Sequence, residues 1–210
     1  MNNLLLHQIK QAFFRKGVAK TILLSNIITL ISLALMNKDI NFQIIFSLMI
    51  IFPVLAIANH IDSIFYEEYR SGALDFLIIT TETINIVISK IFSFFLIIFV
   101  TILSHCIMGM IFFKIGSSDI GKLIFPGFCM SILAPSIVTV AGAMRIYFEK
   151  NNNILSISVL QLLIPEFVLC GLYFHSPLNV YLYLLAGIAM ILTPISIFLI
   201  NLLLKELYNS

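Results

Sequence analysis

The sequence predicts an all-α, polytopic membrane protein with six transmembrane helices. Two observations predict it. Hydrophobic residues make up 60% of the chain and charged residues only 10%, with a mean hydropathy of +1.09. A soluble domain carries about 25% charged residues to cover its surface. The apolar residues also gather into long runs separated by short polar breaks, so the solvent for most of the surface is lipid.

The runs place spans at about 21–36, 42–61, 91–113, 123–146, 154–174 and 178–204. Crossing a hydrocarbon core of about 30 Å takes roughly 20 helical residues. The first run is short for that task unless Val18 and Ala19 join it and Lys20 snorkels to the headgroups. The second carries Pro53 and the fourth Pro126 and Pro135, which neighbouring helices can accommodate. Ahead of the spans, Leu5, Ile9, Ala12 and Phe13 recur at helical spacing among Lys10, Arg15, Lys16 and Lys20. That pattern predicts an N-terminal amphipathic interfacial helix rather than a cleavable signal peptide. The chain 1–210 reads as a single integral membrane domain, with a cytoplasmic segment at 62–90.

Orientation follows from the basic residues. One side of the predicted topology holds Lys10, Arg15, Lys16, Lys20, Arg70, Lys90, Arg145, Lys150 and Lys205. The other holds Lys38, Lys114 and Lys122. This asymmetry puts both termini in the cytoplasm, in the manner of a bacterial inner-membrane protein. A net charge of +2 with no basic stripe gives no footprint for nucleic acid.

Catalytic signatures are missing. There is no G-x-x-x-x-G-K-[ST] phosphate loop, H-E-x-x-H metal pair or G-x-S-x-G nucleophile turn. Cys106, Cys129 and Cys170 fall in apolar runs and read as small core residues, with no disulfide or metal spacing. Glu166 is the one carboxylate deep in a predicted span. An ionisable group there is a functional candidate, and its bland counterpart is a protonated carboxyl hydrogen-bonded across a helix interface. His60 and His105 read either as axial haem ligands or as hydrogen-bonded packing residues.

The largest polar region centres on Glu67 and Glu68, then Gly72, Leu74, Asp75 and Leu77, with Lys90 at the start of the next run. The pattern predicts a short amphipathic helix along the cytoplasmic face, with carboxylates available to a partner and Gly72 permitting close approach or a bend. A solvated connector is the alternative.

This order of residues resembles the membrane subunits of ABC-2-type transporters. More closely it is similar to the CcmB (haem exporter protein B) family of the bacterial cytochrome c maturation system. Further stretches carry the resemblance: Leu133-Ala134-Pro135, Ala141-Gly142-Ala143, the polar Glu149-Lys150-Asn151-Asn152 turn, Leu163-Ile164-Pro165 and Leu192-Thr193-Pro194. Thr80-Thr81-Glu82 stands where the family has prolines, and Glu166 where its pattern is apolar. The resemblance implies an ABC-2-permease-like fold and no ATP site of its own. It implies a CcmA-like ATPase docked on the coupling residues Glu67, Glu68, Gly72, Leu74, Asp75, Leu77 and Lys90. It also implies CcmC-like and CcmD-like membrane partners, a CcmE-like haem chaperone, and haem as substrate or as cargo of the wider complex. A permease for another substrate and a secondary transporter built around Glu166 are the rival expectations.

Overall fold

The computed structural model describes residues 42–114, 116–148, 152–176 and 179–209, with isolated positions at 20, 22, 24, 27, 28 and 31. Apart from those positions, the expected interfacial helix and first span lie outside the described residues. The rest is helical: α1 (Phe42–Ala58), α2 (Tyr66–Arg70), α3 (Ala73–Thr80), α4 (Thr83–Phe113), α5 (Ser117–Tyr147), α6 (Asn152–His175) and α7 (Asn179–Asn209), with a 3-10 turn at Ile61–Ser63.

Many of these helices are rich in isoleucine, which in water disfavours helix and suits strand. In lipid that preference loses. With no water to bond exposed backbone, only a helix satisfies N–H and C=O groups within one segment. Proline is absorbed for a related reason. Pro53, Pro126, Pro135, Pro165 and Pro194 all lie inside helices. Buried hydroxyls meanwhile bond back to their own helix: Ser131 donates to the Gly127 carbonyl (2.6 Å), Ser136 to that of Ile132 (2.8 Å) and Thr139 to that of Pro135 (2.5 Å). No hydroxyl of this group is left to desolvate alone.

Among the described residues, four helices are long and apolar enough to cross a membrane: 31 residues at Thr83–Phe113, 29 at Asp119–Tyr147, 19 at Ile157–His175 and 30 at Asn179–Tyr208. The protein is therefore a membrane protein by length and composition. Several boundaries differ from expectation. The second run stops at Ala58 rather than 61, because Asn59 and His60 turn the chain into the 3-10 segment. At 17 residues α1 reaches only about 26 Å. The third helix starts at Thr83 rather than 91, absorbing the end of the polar region, and the C-terminal tail is helical to Asn209.

The long helices alternate in direction, and α5 is the hub. It packs against α7 and α4, and also against α1 and α6. One face of α5 meets the 3-10 turn at Gly142. A Cβ there would lie 3.1 Å from Ile64 Cβ and 3.5 Å from the Ile61 carbonyl oxygen. Both isoleucines are fully buried, so neither has room to retreat.

Gly142→Ala should therefore be mildly destabilising and Gly142→Leu severely so, by about 1–3 kcal/mol, the usual penalty for overpacking. Thermal unfolding in detergent, followed by a thiol-reactive dye on the three buried cysteines, measures it. Wild-type stability in Gly142→Leu would disprove the close contact.

Candidate functional site: a clamped polar segment at one end of the bundle

The polar segment is two helices, where a single short helix was expected. Gly72 divides them. Its φ of +72° is left-handed, a region that L side chains resist, and it ends α2 while opening α3. The Ser71 amide donates to the Glu67 carbonyl (3.1 Å) and the Gly72 amide to that of Tyr69 (3.0 Å), closing α2. No heavy atom lies within 4 Å of a Cβ built at Gly72. The glycine thus serves the bend; no close approach within this chain needs it.

Side-chain bonds fasten this segment to three long helices. Glu68 is buried on α2 and ion-pairs with Lys90, which is buried about two turns into α4. The Lys90 ammonium also sits 5.7 Å from the centroid of the buried Phe65 ring. In the 3-10 turn, Asp62 Oδ1 accepts a bond from Arg145 Nε at 3.1 Å, and the Arg145 guanidinium lies 4.2 Å over the Tyr66 ring. On α3, Asp75 accepts the Tyr208 hydroxyl from the end of α7. Close by, Thr83 at the start of α4 donates to Asn201 Oδ1 of α7 (2.5 Å). These contacts place 62–90, the end of α5 and the end of α7 at the same end of the bundle.

The sequence-predicted coupling residues therefore separate into roles. Glu68, Lys90 and Leu74 are interior, and Leu77 is half-buried; they hold the segment in place. Asp75 is exposed but tied to Tyr208, and Glu67 is exposed on α2. The expectation that both adjacent carboxylates meet a partner holds for neither Glu68 nor its counter-ion, because the chain buries them against each other. Phe76 and Ile79 went unmarked in the sequence, yet they are 68% and 84% exposed on α3. Three apart on a helix, they share a face. Their apolarity inside a Leu-Ile run hid them; only the packing of Leu74 and Leu77 inward tells which side is bare.

The intramembrane candidates lie elsewhere and apart from one another. His105 is fully buried, and its Nδ1–H donates to the Met49 carbonyl at 2.9 Å, tying α4 to α1. His60 uses Nδ1 on the Ala56 carbonyl at 2.9 Å, eleven residues of chain beyond Met49. These bonds are what packing histidines make, and the two rings do not converge on a shared ligand. Glu166, in the middle of α6, is 3% exposed, and its Oε2 has no hydrogen-bond partner among the described residues. The cross-interface bond that would make it bland is not seen for that oxygen. All three cysteines are free and buried. Among the described residues no group of three His, Cys, Asp or Glu side chains is arranged to hold a metal.

Comparison with known proteins finds similarity along the whole chain but no functional description. The uncharacterized protein RP268 of Rickettsia prowazekii is 27% identical over 216 residues, covering all of this chain and 99% of that protein. The uncharacterized protein RC0356 of Rickettsia conorii is 26% identical over 204 residues, covering 92% of this chain and 90% of that one. No family model matches, and no solved structure matches.

Removing one partner of the Glu68–Lys90 pair leaves a buried charge alone. Glu68→Leu and Lys90→Met should each destabilise by about 3–5 kcal/mol, whereas the double variant Glu68→Leu/Lys90→Met should regain most of the loss. Unfolding midpoints of the four proteins in one detergent make the cycle. Additive losses in the double variant would show that the two side chains act separately.

Proposed function

We propose that this chain is the membrane subunit of an ABC-type complex in cytochrome c maturation, built on an ABC-2-like arrangement of six spans with both termini in the cytoplasm. Hydrolysis is done by a separate CcmA-like ATPase, since the sequence contains no phosphate loop of its own. The observation that carries the reading is the clamped α2–α3 segment, which exposes Glu67 on α2 and Phe76 and Ile79 on α3 at the basic end of the bundle.

A coupling element needs two properties. It must present a surface that a partner can grip, and it must be joined stiffly to the spans it moves. The Phe76–Ile79 face supplies apolar area for the grip. The Glu68–Lys90, Asp62–Arg145 and Asp75–Tyr208 contacts supply the stiffness, each leading to a different long helix. A push on α3 would then pass into α4, α5 and α7 together rather than being lost in a loose loop. Arg70, Lys90, Arg145 and Lys205 gather at this end while Lys114 and Lys122 lie at the other, which supports a cytoplasmic location for the segment.

In this reading the output is ATP-driven release of a haem-loaded CcmE-like periplasmic chaperone, in company with CcmC-like and CcmD-like membrane proteins. Haem is cargo of the complex. His60 and His105 each bond a backbone carbonyl of α1 through Nδ1, and the His105 Nε2 is buried without a hydrogen-bond partner among the described residues; in this reading the chain's own part is mechanical coupling. One observation favours a second reading. The buried, unbonded Glu166 Oε2 suits an ion or proton relay in a secondary transporter.

Phe76→Ser/Ile79→Ser should insert normally, lose most ATPase co-purification and reduce c-type cytochrome yield. Glu166→Gln should leave both unchanged. Pull-down from native membranes, with haem-stained cytochromes counted in parallel, gives the result. If the surface variant retains the ATPase at wild-type levels while Glu166→Gln abolishes activity, the relay reading replaces the coupling one.

A further inference from the structure

At the end of the bundle that carries the clamped segment, Tyr66, Tyr69 and Arg70 of α2 and Arg145 and Ile146 of α5 enclose a cavity of about 340 Å³. It differs in chemistry from two other cavities of the bundle. The one between α5, α6 and α7 and the one between α4, α5 and α7 are lined almost wholly by aliphatic and aromatic side chains. This one brings two arginine and two tyrosine side chains into its wall.

We propose that this cavity binds a phosphate group, carried by the headgroup of an anionic lipid or by free phosphate. Three features of the residues support it. Arg145 commits Nε to Asp62 and its flat face to Tyr66, which fixes the guanidinium and leaves its terminal N–H groups for a ligand. Arg70 is exposed, and its side chain makes no ion pair or hydrogen bond among the described residues. The two forks come from different elements, so they approach an anion from different directions, as suits a tetrahedral oxyanion.

The charge balance permits an anion. Among the described residues, Glu68 pairs with Lys90, Asp62 offsets one of the two arginines, Glu206 is engaged by the Tyr147 hydroxyl, and no carboxylate lines the cavity itself. Glu67, on the same short helix, is exposed and absent from the cavity wall. Interfacial tyrosines supply hydroxyl donors at headgroup depth, in a chain that has no tryptophan to do so. Basic pockets beside span ends are where anionic headgroups settle, and the volume also admits several waters. A ligand here would bridge α2 to α5 next to the segment proposed to couple, but the inference does not depend on that proposal.

The test uses the full chain purified in detergent and stripped of lipid, with thermal unfolding followed during titration by phosphatidylglycerol, phosphatidylcholine or inorganic phosphate. Phosphatidylglycerol should stabilise saturably and phosphatidylcholine should not. Arg70→Gln should unfold like wild type without ligand and need about tenfold more phosphatidylglycerol for half-saturation, the loss expected for one charge-assisted hydrogen-bonding group. Lys205→Gln, which removes an exposed charge at the same end but outside the cavity, should bind as wild type. Stabilisation by inorganic phosphate as well, lost in Arg70→Gln, identifies free phosphate as a ligand; stabilisation by the lipid alone identifies the headgroup. Equal effects of the two lipids, wild-type binding by Arg70→Gln, or equal weakening by Lys205→Gln would overturn the site.

Discussion

The Glu68–Lys90 ion pair is the constraint on which the arrangement of the polar end depends. Each of these charges would cost several kcal/mol to bury by itself, and the pairing offsets much of that cost for both. Glu68 belongs to a five-residue helix that has no stability of its own, since so short a helix cannot repay its nucleation. Lys90 belongs to a 31-residue helix that crosses the bundle. The pair therefore transfers order from a stable element to an unstable one. Once α2 is held, the Asp62–Arg145 and Asp75–Tyr208 contacts can form at low entropic cost, and Gly72 sets the angle at which α3 leaves.

The bundle and its polar end obey opposite rules. Within the long helices, association between apolar faces gains little from hydrophobicity, because lipid tails are as apolar as isoleucine. Close packing has to do the work instead. Gly142 lets Ile61 and Ile64 approach α5, and Gly127 lets Ile102 of α4 come within 3.0 Å of where its Cβ would be. Outside that dry interior, specific polar bonds take over: the four side-chain contacts at the ends of α4, α5 and α7 each join residues distant in sequence. A segment fixed in this way moves with the bundle or not at all, which is what a lever requires and a solvated connector does not.

Much of this was legible beforehand because hydropathy is a local property. The runs that became α4, α5, α6 and α7 were long enough to identify without any knowledge of neighbours, and their helical state followed from the backbone's need for partners in lipid. Gly72 and the carboxylates around it marked the polar segment that the structure resolves into α2 and α3. Boundaries were less legible. Residues 83–90 carry Thr, Asn and Ser, which read as polar connector, yet they continue α4 because Ile86, Val87, Ser89 and Lys90 are buried and the polar groups find partners: Lys90 in Glu68, Ser89 in the Ile86 carbonyl at 2.8 Å and Thr83 in Asn201. The single-helix expectation for 67–77 failed on the left-handed φ at Gly72, a conformation that glycine permits but does not require.

By itself, the sequence determined that this is a helical membrane protein, which runs are long enough to cross, and where charge collects, because each of these depends on residue type and spacing alone. Only the tertiary structure decided which charges are buried within the chain and which stay at its surface. Glu67 and Glu68 are adjacent and chemically identical, yet one is exposed and the other is locked to a lysine twenty-two positions away. Arg70 and Arg145 are far apart in sequence and meet across one cavity. Phe76 and Leu77 are neighbours of similar apolarity, and only one faces outward. Such distinctions arise from which side of a short helix packs against α4 and α5, a long-range outcome that no local pattern of residues encodes.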